Sequence, residues 1–203
     1  MTKSSYRFLK RTFDIFFSTS ALIALAVPSI LLCIAIRIES PGAPLYRQTR
    51  VGIQGRLFTM YKFRSMVAGS DNQLGSLLPL NEVDGPLFKI KQDPRVTRIG
   101  RFIRKYSIDE IPQFANVLIG NMTLVGPRPA LPREVAQYDT KSIKRLCVKP
   151  GLTGYWQISG RNMLSFEDSI DLDLRYIAEC CISADLKTLA KTLPAVLSGR
   201  GAH

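Results

Sequence analysis

The sequence predicts a mostly helical α/β fold, in which an apolar N-terminal helix precedes a domain with one small β hairpin. Three patterns predict it: an uncharged run of 22 residues, two alternating segments joined by a glycine-containing turn, and several stretches with apolar residues at helical spacing. The chain has 203 residues, 46% of them hydrophobic, which is enough to bury a core. We expect a membrane part at residues 1–40 and a folded domain at residues 41–203.

The uncharged run from Ile15 to Ile36 is long enough to reach through a hydrocarbon core, because a helix rises about 1.5 Å per residue. It is longer than the apolar part of a cleaved signal peptide, and no small-residue cleavage site follows it. Basic residues flank it on both sides, so the positive-inside rule places both flanks in the cytoplasm. These basic residues are Lys3, Arg7, Lys10 and Arg11 before the run, and Arg37, Arg47, Arg50 and Arg56 after it. Pro28 predicts a kink, since it removes a helix hydrogen bond and clashes with the preceding turn. These residues leave a kinked spanning helix and a bent, re-entrant helix equally open.

The β hairpin is predicted from "LYRQTRVG" and "RLFTMYKFRSM", which alternate in part and are joined by Gly52 to Gly55. Residues 67–86 follow, rich in Gly, Ser, Asp, Asn and Pro and without a clear period. We expect a mobile loop or short helices there, not a separate domain.

The next stretch, "DPRVTRIGRFIRKY", predicts a basic amphipathic helix. Apolar residues recur at helical spacing, and an arginine stands at every third position from Arg95 to Arg104. A solvated face over a core stripe is one interpretation. Because the stretch follows a membrane segment, we expect instead that it rests on anionic lipid head groups.

Adjacent carboxylates, Asp109 and Glu110, open the stretch that follows. Proline fits only the first turn of a helix, so Pro112 predicts a helix that begins near Asp109 and ends near Gly120. Both carboxylates then lie at the positive end of the helix dipole, where they can serve as simple caps. Composition alone favours that capping role over chemistry on a phosphate.

The segment "LVGPRPALP" predicts a stiff turn in which Pro127 and Pro129 brace Arg128. The planar fork of arginine suits phosphate, although an idle surface arginine has the same local sequence. The C-terminal third predicts a glycine-rich loop at "VKPGLTGYWQISGRN" and two helices, at "SFEDSIDLDLRYI" and "SADLKTLAKTLPAVL".

Charge and composition restrict the function. Lys and Arg outnumber Asp and Glu by 28 to 16, a net charge of +12, which implies an anionic partner: nucleic acid, lipid head groups or a phosphorylated substrate. The four cysteines suggest neither a disulfide framework nor a CxxC metal site, so we expect a reducing compartment. With His203 as its single histidine, the chain offers little for zinc binding or histidine-activated nucleophiles. No Walker or GxGxxG nucleotide-binding motif is present.

In order and spacing, the motifs "YKFRSM", "DPRVTRIGRFIRKYSIDEIPQFANVLIGNMTLVGPRP" and "VKPGLTGYWQISGRN" resemble the bacterial sugar transferase family, the monotopic phosphoglycosyl transferases. The resemblance runs from about Lys10 to the C-terminus. It implies a re-entrant helix kinked at Pro28, interfacial amphipathic helices and a compact catalytic domain on the cytoplasmic face of the bacterial inner membrane. Larger members carry extra transmembrane helices and a soluble module, so this chain resembles the minimal catalytic form.

The resemblance also implies a reaction in two steps. Asp109 attacks the β-phosphorus of a nucleotide diphosphate sugar, which leaves a phosphosugar on the enzyme, and Glu110 assists deprotonation of a polyprenyl phosphate that attacks next. Asp109 also holds the implied cofactor, Mg²⁺, which offsets phosphate charge. Pro127 and Pro129 form a turn on the nucleotide side. The implied phosphate-binding residues are Lys62, Arg64, Arg104, Arg128 and Arg161.

The implied partners are a UDP-sugar donor, undecaprenyl phosphate as acceptor and inner-membrane lipid, with a homodimer kept open and no nucleic acid. "SFEDSIDLDLRYI" resembles the members that act in exopolysaccharide and O-antigen synthesis, so we expect UDP-glucose or UDP-galactose, which the sequence does not distinguish. Two other classes remain, a membrane-anchored basic scaffold and a nucleic-acid binder. Aromatic residues are not interleaved with the basic runs as a stacking platform requires, which disfavours the binder.

Overall fold

The computed structural model describes residues 3–82, 88, 90, 92–160 and 164–199. These residues form mainly helices, with two small two-stranded sheets. The predicted fold class is confirmed in its helical character and its hairpin. The helices are α1 (Lys3–Ala24), α2 (Ala26–Glu39), α3 (Leu74–Leu77), α4 (Arg98–Lys105), α5 (Gln113–Ile119), α6 (Pro132–Val135), α7 (Tyr155–Ile158), α8 (Phe166–Glu179) and α9 (Ile182–Ser198), and the strands are β1 (Leu45–Val51), β2 (Leu57–Phe63), β3 (Thr123–Val125) and β4 (Gly151–Thr153).

The predicted kink is present, one turn before Pro28. Helices α1 and α2 meet at Leu25 with a bend of 59°. Proline cannot donate to the carbonyl of Ala24, four residues earlier, and its ring crowds that carbonyl, so the break falls in the turn that precedes it. Within the described chain, neither helix alone is long and apolar enough to cross a bilayer, whereas the bent pair together meets both criteria, as a broken span or a re-entrant loop.

The first half of α1 packs against the domain that follows it. The buried carboxylate of Asp14 accepts hydrogen bonds from the Thr123 hydroxyl, at 2.7 Å, and the Leu124 N–H, at 3.0 Å. The ammonium group of Lys10 donates to the Val125 carbonyl at 2.9 Å. Polar contacts to β3 therefore hold α1, and Lys10, which the sequence placed among the flanking membrane charges, is engaged inside the protein.

The predicted hairpin is confirmed. Strands β1 and β2 run antiparallel, with Leu45 opposite Phe63 and Val51 opposite Leu57. Short helical turns follow the hairpin, including α3, as expected for the segment 67–86, of which residues 83–87 lie outside the described residues.

Strands β3 and β4 form a parallel pair that the sequence patterns did not reveal, since the two segments were expected to be a turn and a loop. Their backbones approach too closely for side chains between them. A Cβ atom added at Gly151 would lie 2.1 Å from the Gly126 nitrogen, and one at Gly154 would lie 2.3 Å from the Gly126 oxygen. A Cβ at Gly126 would itself lie 2.7 Å from the Lys149 oxygen, so glycine is required at all three positions, at the start of β4 and just after each strand.

Helix α4 is amphipathic, as predicted. Thr97 caps it by accepting a hydrogen bond from the Gly100 N–H at 2.9 Å, Ile103 is fully buried, and Phe102 is exposed. The prediction that Arg95 belongs to the basic face was wrong. Arg95 precedes the helix, is buried, and pairs with Asp93 at 2.6 Å.

Two buried apolar clusters hold the described elements together. The larger joins β2, α5, β3 and α8, through Met60, Val117, Met122, Leu124, Val125 and Tyr176. The smaller joins α2, β2 and α4 through Ile36, Phe63 and Ile103. Strand β2 contributes to both clusters, so it links α2 to the rest of the domain.

Candidate active site

Asp109 and Glu110 lie in a 3₁₀ turn, Ile108–Glu110, just before α5. Ser107 opens the turn in the left-handed region, with φ of 53°, and so reverses the chain between α4 and α5. Gly120 ends α5 in the same region of backbone space. The predicted helix limits are confirmed, except that the first residues form a tighter 3₁₀ turn before the α-helix begins.

The carboxylate of Asp109 is buried beside a lysine. Its residue is 7% exposed, and the Lys62 ammonium lies 3.7 Å from its Oδ2 and 2.9 Å from the Glu110 Oε1. Burial raises the pKa of Asp109 to about 6, while the positive charge of Lys62 opposes that rise. Asp109 is therefore an ionised but poorly solvated carboxylate near neutral pH, and Glu110 is more accessible.

A single buried amide joins the strand that carries Lys62 to the helix that follows Asp109. Asn116, in α5, accepts a hydrogen bond from the Tyr61 N–H at 3.0 Å and donates to the Thr59 carbonyl at 2.7 Å. The side chain is fully buried and occupies the free edge of β2 as a neighbouring strand would. Each bond contributes about 1 kcal/mol, and a buried unpaired group costs more, so the clamp fixes Lys62 relative to Asp109.

These carboxylates open into a large cleft with a volume of about 1530 Å³. Its lining reaches from Phe17 and Leu25 at the bend of the N-terminal helices to the loop before α8. It therefore offers room for a ligand between the N-terminal helices and the buried carboxylates. The predicted site residues that line it are Lys62, Arg64, Arg104, Asp109, Glu110, Arg128 and Pro129.

Arg128 projects from the proline-braced turn, as the sequence predicted. Its guanidinium lies over the Trp156 ring, 5.0 Å from the ring centre, and both residues line the cleft. Stacking on an aromatic face leaves the N–H edges of an arginine available to a ligand. Pro127 is buried behind the turn, and Pro129 is buried at the cleft wall.

The remaining predicted phosphate-binding residues differ in their surroundings. Arg104, in the last turn of α4, is half-buried and its charge lowers the pKa of Asp109. Arg64 instead donates to carbonyls at the end of α2 and after it, Ser40 and, at 3.0 Å, Pro41. Its phosphate role stays a prediction, because these contacts already occupy part of its guanidinium. Arg161 lies outside the described residues.

The donor set of the site fits magnesium only together with a ligand. Among the residues that the structure describes, no three His, Cys, Asp or Glu side chains are grouped to hold a metal. Asp109 and Glu110 both face Lys62, so their oxygens converge. Mg²⁺ commonly takes one or two carboxylates plus phosphate oxygens and water. The pair therefore suits Mg²⁺ that arrives with a diphosphate.

Sequence reasoning missed three residues of the site. Trp156 is the single tryptophan of the chain, and Asn116 is one of only two polar residues, with Gln113, in the helix α5; both were signals available in the sequence. Arg50 was counted only as a charge flanking the membrane segment, yet it is buried at the cleft wall.

Known proteins resemble this chain along nearly its whole length. Residues 5–199 match the sequence model of the family described as "Bacterial sugar transferase". The "Galactosyl transferase CpsE" of Streptococcus agalactiae is 45% identical over 98% of this chain and 44% of its own length. The "Undecaprenyl-phosphate galactose phosphotransferase" of Salmonella typhimurium is 43% identical over 100% of this chain and 43% of its own. The "Exopolysaccharide production protein ExoY" of Sinorhizobium fredii is 38% identical over 96% of this chain and 88% of its own length.

The chain thus spans less than half of the first two relatives and most of the third. With the family match covering almost every residue, the expectation raised by the motifs is confirmed: this chain belongs to the bacterial sugar transferase family.

Proposed function

We propose that the chain transfers hexose 1-phosphate from a UDP-hexose to undecaprenyl phosphate and releases UMP, as the first membrane step of exopolysaccharide or O-antigen assembly. The observation that carries the proposal is the buried Asp109 carboxylate, held by Lys62 at a cleft that arginines line. The names of two relatives, which refer to galactose, support a hexose, with galactose the first candidate and glucose the second.

In the first step, an Asp109 oxygen attacks the β-phosphorus of the donor. The bond from that phosphorus to the bridging oxygen breaks, UMP leaves with the bond electrons, and a phosphosugar remains on Asp109 as an acyl phosphate. A carboxylate is a weak nucleophile in water. Burial of Asp109 removes part of its hydration, and the charges of Lys62 and Arg104 keep it ionised near neutral pH.

In the second step, undecaprenyl phosphate attacks the same phosphorus and frees Asp109. Glu110, which is more exposed than its neighbour, accepts the acceptor's proton as a general base. It accepts a hydrogen bond from the Lys62 ammonium at 2.9 Å and lines the cleft. Bound Mg²⁺, held by Asp109 and the donor's oxygens, would supply neutralisation of the diphosphate charge.

A donor screen tests the reaction. Purified protein in detergent, with undecaprenyl phosphate and Mg²⁺, is incubated with different UDP-sugars, and UMP is measured. We expect release with one or more UDP-hexoses and a sugar–diphosphate lipid as the product. Absence of UMP with every donor would favour the membrane-anchored scaffold instead.

Arg128→Ala is expected to weaken donor binding. The substitution removes a charge-assisted phosphate contact, about 1.5 to 3 kcal/mol, and so raises the donor KM by roughly 10- to 150-fold. The fold should persist, because the backbone of the turn is held by other residues. Steady-state kinetics with Arg175→Ala as the control, an exposed arginine on α8, measure the effect; an unchanged KM would make Arg128 a simple surface residue.

We also propose that the bent pair α1–α2 enters and leaves the membrane by its cytoplasmic face, so that the cleft faces the cytoplasm. Single cysteines before Lys10 and after Arg37, in a cysteine-free background, are expected to react with an impermeant reagent only from the cytoplasmic side. Pro28→Leu restores the missing helix hydrogen bond and should shift the chain toward spanning. Labelling of either position from the periplasm in the unaltered helix would contradict re-entry.

A further inference from the structure

The turn that carries Arg128 is held by its carbonyl oxygens. The Pro127 carbonyl accepts a hydrogen bond from the Gly151 N–H at 2.8 Å. The Arg128 carbonyl accepts one from the Arg145 guanidinium at 3.1 Å, and the Pro129 carbonyl accepts one from the Arg50 guanidinium at 2.9 Å. Three consecutive carbonyls are therefore bound from three directions.

Arg50 is the unusual member of this set. It is 5% exposed, and its Nε and Nη2 both donate to the Gln48 amide oxygen, at 3.0 and 2.6 Å. Within the described part of the chain, no carboxylate lies at salt-bridge distance from it. Burial and the nearby Arg128 charge lower the pKa of Arg50, while the charges of Glu134 and Glu110 oppose that change from beyond contact distance. Its direct hydrogen-bond partners are the carbonyl oxygen of Pro129 and the amide oxygen of Gln48, which stabilise the buried guanidinium in place.

The contact also joins two parts of the site. Arg50 lies on β1, which pairs with the strand that carries Lys62. The next residue, Val51, donates its N–H to the Ala130 carbonyl at 2.9 Å, just beyond the turn. The hairpin and the turn are thus bonded at two adjacent positions.

Arg128 depends on this support. Stacking on Trp156 is the contact that the structure gives its guanidinium, and no described acceptor binds it. A side chain held mainly by one ring can be directed at a ligand only if its backbone is fixed. The carbonyl on either side of Arg128, and its own, provide that fixation.

We propose that Arg50 is a positioning residue that acts through Arg128: its guanidinium fixes the Pro129 carbonyl and so presents the Arg128 guanidinium to the donor diphosphate. The donor diphosphate in this inference is taken from the proposed function, whereas the contacts of Arg50 with the turn do not depend on that function. The competing interpretation is that Arg50 itself binds a phosphate, since it lines the cleft.

A double-mutant cycle separates the two. Arg50→Met removes the donor groups and the charge while keeping an unbranched apolar stem. If Arg50 acts through Arg128, its substitution should raise the donor KM about tenfold in the wild-type background and leave it unchanged within twofold in the Arg128→Ala background. Multiplicative effects of the two substitutions would overturn the proposal. Arg47→Met, at an exposed arginine on the same strand, is the matched control and should leave KM unchanged.

Hydrogen exchange tests the geometry without substrate. The peptide that contains residues 124–132 should exchange faster in Arg50→Met than in the wild type or in Arg47→Met. Loss of the contact to the Pro129 carbonyl loosens the turn, so that its amide hydrogens, among them the Gly126 N–H bonded to the Thr153 carbonyl, open more often. Unchanged exchange would overturn the proposal even if the enzyme is active, whereas a wild type that is inactive with every donor would count against the proposed function alone. If Arg50→Met does not fold, Arg50→Lys is used instead in the double-mutant cycle and in the exchange measurement. Lysine keeps the charge but cannot donate to both the Gln48 amide oxygen and the Pro129 carbonyl as the guanidinium does.

Discussion

Asp109→Asn is expected to abolish sugar-phosphate transfer, with a loss of about 10³-fold or more. An amide cannot form the acyl phosphate, so both the first and the second step fail. Wild-type enzyme given labelled UDP-hexose and Mg²⁺ without lipid should release at most one UMP per site and keep the label on protein. Undecaprenyl phosphate should then move that label into lipid, and Asp109→Asn should show neither event.

Glu110→Gln is the matched control, because it makes the same carboxylate-to-amide change one residue away. It should still acquire label from the donor and should slow mainly the discharge to lipid. Full turnover by Asp109→Asn, or kinetics of a ternary complex without a trapped intermediate, would rule out the covalent route. The adjacent carboxylates would then act as a cap and a metal ligand.

The same carboxylate should set the pH dependence of the first step. Since burial raises the pKa of Asp109 to about 6, the nucleophilic form increases between pH 5 and pH 7, and labelling in the absence of lipid should increase with it. The raised pKa has the opposite effect on folding. The folded state binds this proton more tightly than the unfolded state. The contribution of Asp109 to the free energy of unfolding is therefore fully present below its ordinary pKa of 3.8 and is lost as the pH rises through about 6. Asp109→Asn should therefore unfold at a temperature no lower than the wild type at pH 8.

Gly151→Ala is expected to be strongly destabilising. Its Cβ would lie 2.1 Å from the Gly126 nitrogen and 2.5 Å from the Thr153 oxygen, and backbone atoms cannot move aside as a flexible side chain can. Separation of β3 from β4 should cost roughly 3 kcal/mol or more and break the contact from Gly151 to the Pro127 carbonyl. Thermal unfolding and donor KM measure the two effects.

Gly75→Ala provides the comparison. Gly75 lies in helix α3 with nothing near the position of an added Cβ, so alanine there should be neutral or slightly stabilising. If Gly151→Ala had the same unfolding temperature as Gly75→Ala and an unchanged donor KM, the close approach of β3 and β4 would not be needed for stability or for donor binding.

The sequence predicted those elements that display their periodicity over several residues. The hairpin alternates over two strands of seven residues each, and the kink follows from the chemistry of Pro28. Strands β3 and β4 have only three residues each and are bounded by glycines and prolines, so no alternation could develop. Their pairing depends on backbone approach, which no side-chain pattern encodes.

The sequence led to the candidate site residues but not to the contacts that support them. By composition, Asp109 and Glu110 could not be told from a helix cap, and their catalytic roles, which follow from the family resemblance, stay a prediction. The structure places both beside Lys62 at the cleft. The supporting contacts join residues distant in sequence, as when Arg50 reaches the Pro129 carbonyl or Asn116 reaches β2. At Arg95 the sequence pattern was misleading. The regular spacing of arginines includes Arg95, but this residue lies before the helix and forms a buried ion pair with Asp93.

The contacts of α1 with β3 affect how the protein can be handled. A chain shortened to begin after Ser40, as a route to a water-soluble version, would lose the Asp14 carboxylate that pairs the Leu124 N–H and the Lys10 ammonium that pairs the Val125 carbonyl. It would also uncover Val117 and Leu124 of the larger core, beside which α1 lies. Purification of the whole chain in detergent or a lipid disc should keep these contacts. Solubility is therefore better sought by changing the exposed apolar residues of α2 than by removing α1, which packs against α5 and β3.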